Sequence, residues 1–454
     1  MQGHYKKSSV SSRLIHKLHQ QVDNSPLIVF RICFGFLLFY HCSSFMLSGK
    51  LFENFIQPPF TFTYIGFEFL QPLPGNGMYF YFGLMAALGL MIMLGAWYRL
   101  AMAGFAILWT IIYLMQKSNY NNHYYLMVLM CWLMCFMPAN RYYSVDVKRK
   151  PGIETGSCPG YIPLLIMVQT AIIYFYAAIS KINADWLSGK FIALQFAPLT
   201  ARRIIGPIYG SQYFQLFIVY SGFLFDLLII PLLCWKKTRN FAFILFCCFH
   251  IFNSFSFMIG IFPWLSIAMA VFFFTPDKIR QMFFNNKPAV IYSAYNRDSI
   301  TGTKKIIVYV IGGYLLVQLI LPLRPTFYPG NVFWTEEGYR MSWKMMLRTK
   351  TGKIYFKVTD PPSAKTWYVY PSEKFARSHV QYMAILPDIV WQYAQRLKKD
   401  YAAKGFPQAQ VFAIDSVSLN KNPPRLLIDT TVNLAGVTWQ HFRHSEWIMP
   451  YKKP

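Results

Sequence analysis

Apolar residues fall into nine runs separated by short polar segments, near 27–47, 78–97, 99–116, 123–139, 161–181, 211–235, 240–258, 260–275 and 305–324. Each is of a length to cross a hydrocarbon core roughly 30 Å thick. Lipid offers no partner for backbone N–H and C=O groups, so such runs must be helical. The pattern predicts an all-α polytopic membrane bundle of about nine transmembrane helices. Past residue 324 the pattern changes. Gly352–Val358, Thr366–Pro371, Ala409–Ser416 and Arg425–Val432 have the composition of strands, and Gln381–Ala403 reads as a helix ending at Gly405. A proline-rich exit, Leu321-Pro322-Leu323-Arg324-Pro325, leads into this region. The expected organisation is a 1–26 N-terminal segment, a 27–324 transmembrane helical domain and a small α+β extracytoplasmic domain over 325–454.

Composition agrees with the pattern: 55% hydrophobic and 19% aromatic residues with 14% charged exclude an ordinary soluble globule. The net charge of +26 raises the question of a nucleic-acid partner. The basic residues, however, sit in short segments between apolar runs rather than in one stripe, so no nucleic acid is expected. They act as topology signals. The alternate segments 1–26, 98–99, 140–160, 236–239 and 276–305 hold 18 Lys and Arg, against 5 in 48–77, 117–122, 182–210 and 259–263. This places the N-terminus in the cytoplasm and 325–454 on the periplasmic or lumenal side of a multi-pass membrane protein. The first run is too long for a signal-peptide core and is read as a retained span. All eight cysteines lie in spans or in a cytoplasmic loop, so the exported domain has no disulfide. There is no internal repeat, phosphate-binding loop, dinucleotide loop or Cys-x-x-Cys pair.

Polar side chains at membrane depth are costly and therefore mark function by default. Arg31, His41, Gln169, Lys181, Asp226, His250 and Asn253 are of this kind. Each has a plainer reading. Arg31, one turn inside the cytoplasmic end, is placed to snorkel. Gln169 suits a helix-to-helix hydrogen bond as well as a site. Asp226 fits a structural ion pair or a catalytic duty. His250 and Asn253, three apart, share a helical face toward the outer half of the membrane. Lys181 ends an apolar stretch at the outer boundary, where it either snorkels or faces a dry pocket. In the second case burial disfavours the ammonium and makes the amine a usable base. Asn121-Asn122-His123 stand on the same side and either cap the fourth span or stabilise negative charge in a pocket. Cys131 and Cys135 share a face but read as small buried hydrophobes. His441 and His444 lack a third ligand nearby, so no metal site is expected.

Taken in order and interval, these segments resemble the vitamin K-dependent gamma-glutamyl carboxylase family. The likeness runs through Arg31 to Gly35, Met93-Leu94-Gly95 with Tyr98-Arg99, Asn121-Asn122-His123, and Phe136 to Asn140 with Ser144-Val145-Asp146. It continues through Gln169 to Trp186, Asp226, Phe249-His250 with Asn253-Ser254, and Ser342-Trp343-Lys344-Met345-Met346. The resemblance implies catalytic roles for Lys181 as base and for His123, Asn122 and Tyr339. It implies a quinone pocket formed by His250, Asn253, Gln169, Met345 and Met346.

The chemistry so implied couples oxygenation of reduced vitamin K, a phylloquinol or menaquinol, to carboxylation of glutamate in a protein or peptide. Dioxygen and carbon dioxide are co-substrates, and the products are γ-carboxyglutamate and the quinone epoxide. Departures from the family pattern are Tyr120 in place of tryptophan, Asn183 in place of aspartate, and a chain that stops soon after Trp447. The absence of an Asn-X-Ser/Thr acceptor, with the short tail, favours a bacterial inner-membrane homologue using a menaquinone-like cofactor. The alternatives are an epoxidase-only or altered-specificity family member, and a non-enzymatic quinone-binding or transport protein in which Lys181 and Asp226 merely pair.

Overall fold

The computed structural model describes residues 10–451 apart from 202, 205, 258 and 291–300. A helix forms at each of the nine apolar runs: α1 Ser25–Leu47, α2 Gly77–Leu94, α3 Tyr98–Met115, α4 Asn122–Phe136, α5 Tyr161–Ser180, α6 Gln212–Cys234, α7 Arg239–Phe257, α8 Phe262–Phe273 and α9 Gly302–Ile320. Seven of them are long and apolar enough to cross a membrane; α4 and α8 are shorter. The expectation of nine full spans is corrected at these two. The 15 residues of α4 rise only about 22 Å. The polar loop Gln116–Asn121 delays its start, and Gly260, at φ 71°, stands just before α8. Irregular backbone at such depth is tolerated where it lines a cavity, and both missing turns do.

α1 and α2 cross at backbone distance. A Cβ on Gly89 would sit 2.7 Å from Phe39 N, and one on Gly35 would collide with the backbone of Met93. Small residues let membrane helices approach closely enough for dispersion forces to hold them. At the end of the bundle away from the C-terminal domain, polar clasps replace apolar packing. Arg31 is buried rather than snorkelling, because carbonyls are at hand: it donates to Ala139 O (3.0 Å), Tyr143 O (2.7 Å) and Tyr142 O (3.4 Å). Asp146 accepts from Trp97 N and Tyr98 N and so caps α3. Lys287 Nζ donates to Asp23, Asn24 and Ser25 at 2.7–2.9 Å, beside the short antiparallel pair β1 Gln21–Asp23 and β2 Ser157–Pro159.

The C-terminal α+β domain has β3 Lys350–Asp360 at the centre of an antiparallel sheet, flanked by β4 Lys365–Val369 and β5 Gln410–Leu419. Period-two burial along β3 puts Ile354, Phe356 and Val358 inward. There they meet Met383, Ile389, Val390, Tyr393 and Leu397. The helix expected over Gln381–Ala403 is two, α10 Arg377–Ile385 and α11 Pro387–Ala403. Pro387 cannot donate into a preceding turn but suits the first turn of a new helix, so the chain breaks there. The strand expected over Arg425–Val432 is reduced to single bridges, Val417 with Arg425 and Ile428 with Ile448.

The segments 51–76, 116–121 and 182–200 all meet this domain, as the charge alternation required of segments on one side. Phe62 enters its core, Asn420 Nδ2 donates to Asp185 Oδ2 (2.8 Å), and Gln195 Nε2 donates to Thr349 Oγ1 (3.1 Å). At the centre of the contact Asp388 receives both Arg340 (2.7 Å) and Lys117 (2.8 Å). Burial alone would raise the Asp388 carboxyl pKa, but the two cations outweigh it and hold it well below the usual carboxylate range.

Two predictions follow from packing and charge. Gly35→Val overpacks the α1–α2 crossing and costs about 1–3 kcal/mol, whereas Gly83→Ala, where a Cβ meets nothing within 4 Å, does not. Thermal unfolding in detergent reads both. Asp388→Asn strands two buried cations and costs about 3–5 kcal/mol. Because the folded carboxyl pKa is depressed, the wild-type contact is fully present above about pH 4 and fails only as acid titrates it below that. Limited proteolysis of the domain junction against pH follows the loss.

Candidate active site

Between the helical bundle and the C-terminal domain lies a cavity of about 510 Å³. This is within the range of roughly 300–1,000 Å³ found for small-molecule sites. Its walls come from the start of α4, the end of α5, the middle of α6 and α7, the approach to α8, and the segment 339–348 that precedes β3.

Lys181 follows the last residue of α5 and is 7% exposed. Its Nζ donates to Asp226 Oδ2 in a buried ion pair and to Gly222 O at 3.2 Å, both on α6. Of the two readings of Lys181 the structure has the buried one rather than the snorkelling one: the nitrogen is locked to a carboxylate, and the cavity beside it has room for a ring. Gly222 and Asp226 are one helical turn apart, which is why both oxygens reach the same nitrogen. Just beyond Lys181, the Asn183 side chain accepts from Trp186 N and starts a short turn. That turn sets the buried Trp186 ring 5.3 Å from the amine. Trp186 Nε1 has no protein partner.

Asn122 and His123 open α4. Tyr120 Oη donates to Asn122 Oδ1 (2.8 Å), and Asn122 Nδ2 donates to Lys344 O (3.1 Å). Tyr339 Oη donates to the same carbonyl at 2.9 Å, and Met341 N donates to Tyr120 Oη at 2.6 Å. These bonds tie the domain segment to the membrane helix. Trp343, fully buried against Tyr125, anchors it further. Met341, Trp343 and Met346 all have positive φ, an uncommon backbone held by these contacts. Burial raises the Tyr339 phenol pKa and keeps it protonated. His123 faces Gly260, where a Cβ would come within 3.8 Å of its Nε2. On α7, His250 Nε2 bonds Tyr174 Oη at 2.6 Å, and its Nδ1 has no protein partner. Asn253 lies one turn further along and faces the same cavity.

Lys181, His123, Asn122, Tyr339, His250, Asn253, Met345 and Met346 thus line one cavity. Gln169 does not, and its expected place at the quinone pocket is corrected. It is fully buried and accepts from Tyr314 Oη at 2.6 Å, joining α5 to α9. The reason is helical rise: the 12 residues from Gln169 to Lys181 cover about 18 Å. His444 pairs with Glu337 at 2.7 Å. Among the wall residues that sequence reasoning missed are Trp186 and Lys344, both inside motifs already singled out, and Gly222, whose one-turn spacing from Asp226 was the available signal.

A family model described as the HTTM domain matches residues 19–278, and one described as the vitamin K-dependent gamma-carboxylase lumenal domain matches residues 303–454. The chain belongs to the vitamin K-dependent gamma-carboxylase family. The two matched regions meet across the cavity, since the helices of the first supply Lys181, Asp226 and His250 and the second supplies Tyr339 to Arg348. No solved structure matches the chain.

The ion pair makes a measurable prediction. Asp226→Asn leaves a buried ammonium uncompensated and costs about 3–5 kcal/mol. The double replacement Lys181→Met with Asp226→Leu recovers most of that loss. A double-mutant cycle on thermal unfolding in detergent would show additive costs if the two residues did not form a unit.

Proposed function

We propose that the protein carboxylates glutamate side chains of a protein or peptide at the γ-carbon, using a reduced naphthoquinone of the vitamin K class with dioxygen and carbon dioxide. The family match supports a carboxylase-type activity. The observation that carries the finer reading is the convergence of Lys181 with Asp226, His123, Asn122, His250, Asn253 and Tyr339 on one cavity at the bundle–domain junction. By the distribution of basic residues the cavity opens to the exported side, with the N-terminus cytoplasmic.

The residues fit such a quinol. Aromatic and aliphatic walls from Trp186, Phe249, Ile259 and Phe262 suit the ring, and two buried ring nitrogens, His250 Nδ1 and Trp186 Nε1, are left for oxygens. When bound, the quinol supplies with dioxygen the strong base that removes the substrate's γ-proton, and it leaves as the epoxide.

The chain's own task is to move and hold protons in a dry site. Lys181 and Asp226 do this as a pair. At an effective dielectric near 20 the attraction of two charges about 4 Å apart is roughly 4 kcal/mol, and desolvation costs several kcal/mol per ion. Burial therefore narrows the preference for the ionic form of such a pair, which is about 9 kcal/mol in water. With the shared proton on Asp226, the Lys181 amine would accept the proton of the quinol hydroxyl, and the ammonium so formed would balance the quinolate. Asn122 and His123 meet negative charge as it develops. Tyr339 holds a proton on its Oη, ready to donate it. The apolar walls exclude water that would quench a carbanion.

The Lys181–Asp226 pairing is also what a non-enzymatic quinone-binding protein would display. The purified protein, given reduced vitamin K, labelled bicarbonate and a glutamate peptide, separates these readings. Acid-stable label in γ-carboxyglutamate is expected from wild type, falling by about 10³-fold or more in Lys181→Ala, in line with loss of a positioned base. Epoxide without label points to an epoxidase-only member, and neither product points to the non-enzymatic reading.

A further inference from the structure

The cavity holds more positive charge than it neutralises. Lys50, Lys181, Lys344 and Arg348 line it, with Asp226 as the carboxylate among the lining residues. Lys181 is spent on Asp226, and Arg348 on Glu336 at 2.6 Å. Lys50 is exposed. Lys344 is different. It is half-buried, and among the described residues no carboxylate or carbonyl lies within hydrogen-bonding reach of its Nζ. The aromatic ring of Phe333, 5.9 Å away, is its polarisable neighbour. Burial lowers its pKa, the signature of an ammonium taken from water without compensation.

Its placement is also over-determined. The Lys344 carbonyl accepts from both Asn122 and Tyr339. Trp343 just before Lys344 and Met346 two residues after it hold left-handed backbone, and the Trp343 side chain is fully buried. A flexible lysine is thus mounted on a fixed backbone, at the cavity wall contributed by the C-terminal region. The membrane helices contribute Asn122, His123, Asp226, His250 and Asn253. An uncompensated cation held at the cavity wall is complementary to an anionic occupant.

Resting on the reading above, we propose that Lys344 is the substrate-binding residue that holds the γ-carboxylate of the incoming glutamate. Among the reactants, quinol, dioxygen and carbon dioxide are uncharged, so the glutamate side chain alone brings a formal negative charge into the cavity. Exposed Lys50 adds a positive charge at the approach, which draws an acidic side chain inward. The quinol is then recognised by the membrane helices, and the peptide by a residue of the water-facing region.

The test is binding, so that it stands apart from turnover. Two fluorescent peptides identical but for Glu or Gln are titrated by anisotropy into the full-length protein in lipid nanodiscs. Wild type is expected to prefer the Glu peptide by about 10-fold or more, the value of a charge-assisted hydrogen bond. In Lys344→Met the preference collapses to within about twofold, whereas Lys344→Arg keeps most of it. The arginine variant guards against a folding defect: loss in both, with an unchanged thermal midpoint, overturns the assignment. So does a Glu preference that survives Lys344→Met, or none in wild type. A wild-type Glu preference that depends on Lys344 but comes without labelled product sinks the carboxylase reading while leaving Lys344 as the carboxylate-binding residue.

Discussion

A polar group carried to membrane depth must bring its partner with it, because the lipid supplies none. That constraint organises this protein from one end to the other. Arg31 is buried because three loop carbonyls converge on it, and Lys287 because Asp23, Asn24 and Ser25 do. Gln169 takes the hydroxyl of Tyr314, and Lys181 takes Asp226 and the Gly222 carbonyl. In each case a local debt becomes a tie between elements far apart in sequence. At the cavity His250 Nδ1, Trp186 Nε1 and the Lys344 ammonium have no protein partner among the described residues and face the space between bundle and domain.

The same constraint explains why two helices are short. α4 and α8 begin late on the side of the C-terminal domain, and the lost turns are replaced by Tyr120 to Asn122 and by Ile259-Gly260, which line the cavity. A bundle of nine full spans would have filled this volume with side chains. The cavity is therefore a consequence of where helices start, and the Asn-Asn-His sequence at the head of α4 is part of the reason.

The positions of the nine helices were legible in the sequence, because apolar length is a property of composition over a window. Their exact starts were not, since apolarity continues through Tyr124 and Tyr125 whether or not the preceding turn is helical. The break at Leu386-Pro387 was written in the chain and was passed over in favour of a long periodic pattern. For the site, motif spacing led to eight residues that share a wall, although the roles assigned to them rest on chemistry still to be tested. The Lys181–Asp226 bond was open to guess but not to derivation. It depends on how α5 and α6 are rotated about their axes, which a single sequence does not record. Gln169 shows the converse error, a residue assigned by its motif when helical rise alone carries it about 18 Å from Lys181.

An ammonium–carboxylate pair is a different device from a lone neutral amine, and the difference bears on how a dry site can be kept ready. A lone lysine would be neutral only if burial were severe, and severe burial would also destabilise the fold. Paired with Asp226, the amine is held in a unit of zero net charge whichever atom carries the proton, so the cavity can stay apolar without expelling it. The unit then responds to what lies beside it: an acidic hydroxyl placed against Nζ can surrender its proton while the total charge of pair and ligand is conserved. That makes the docking of the C-terminal region part of the chemistry on this reading. The Asp388 clamp and the 339–348 segment close the wall opposite the helices, and without that wall water would solvate both members of the pair and favour its ionic form, with the proton on Lys181.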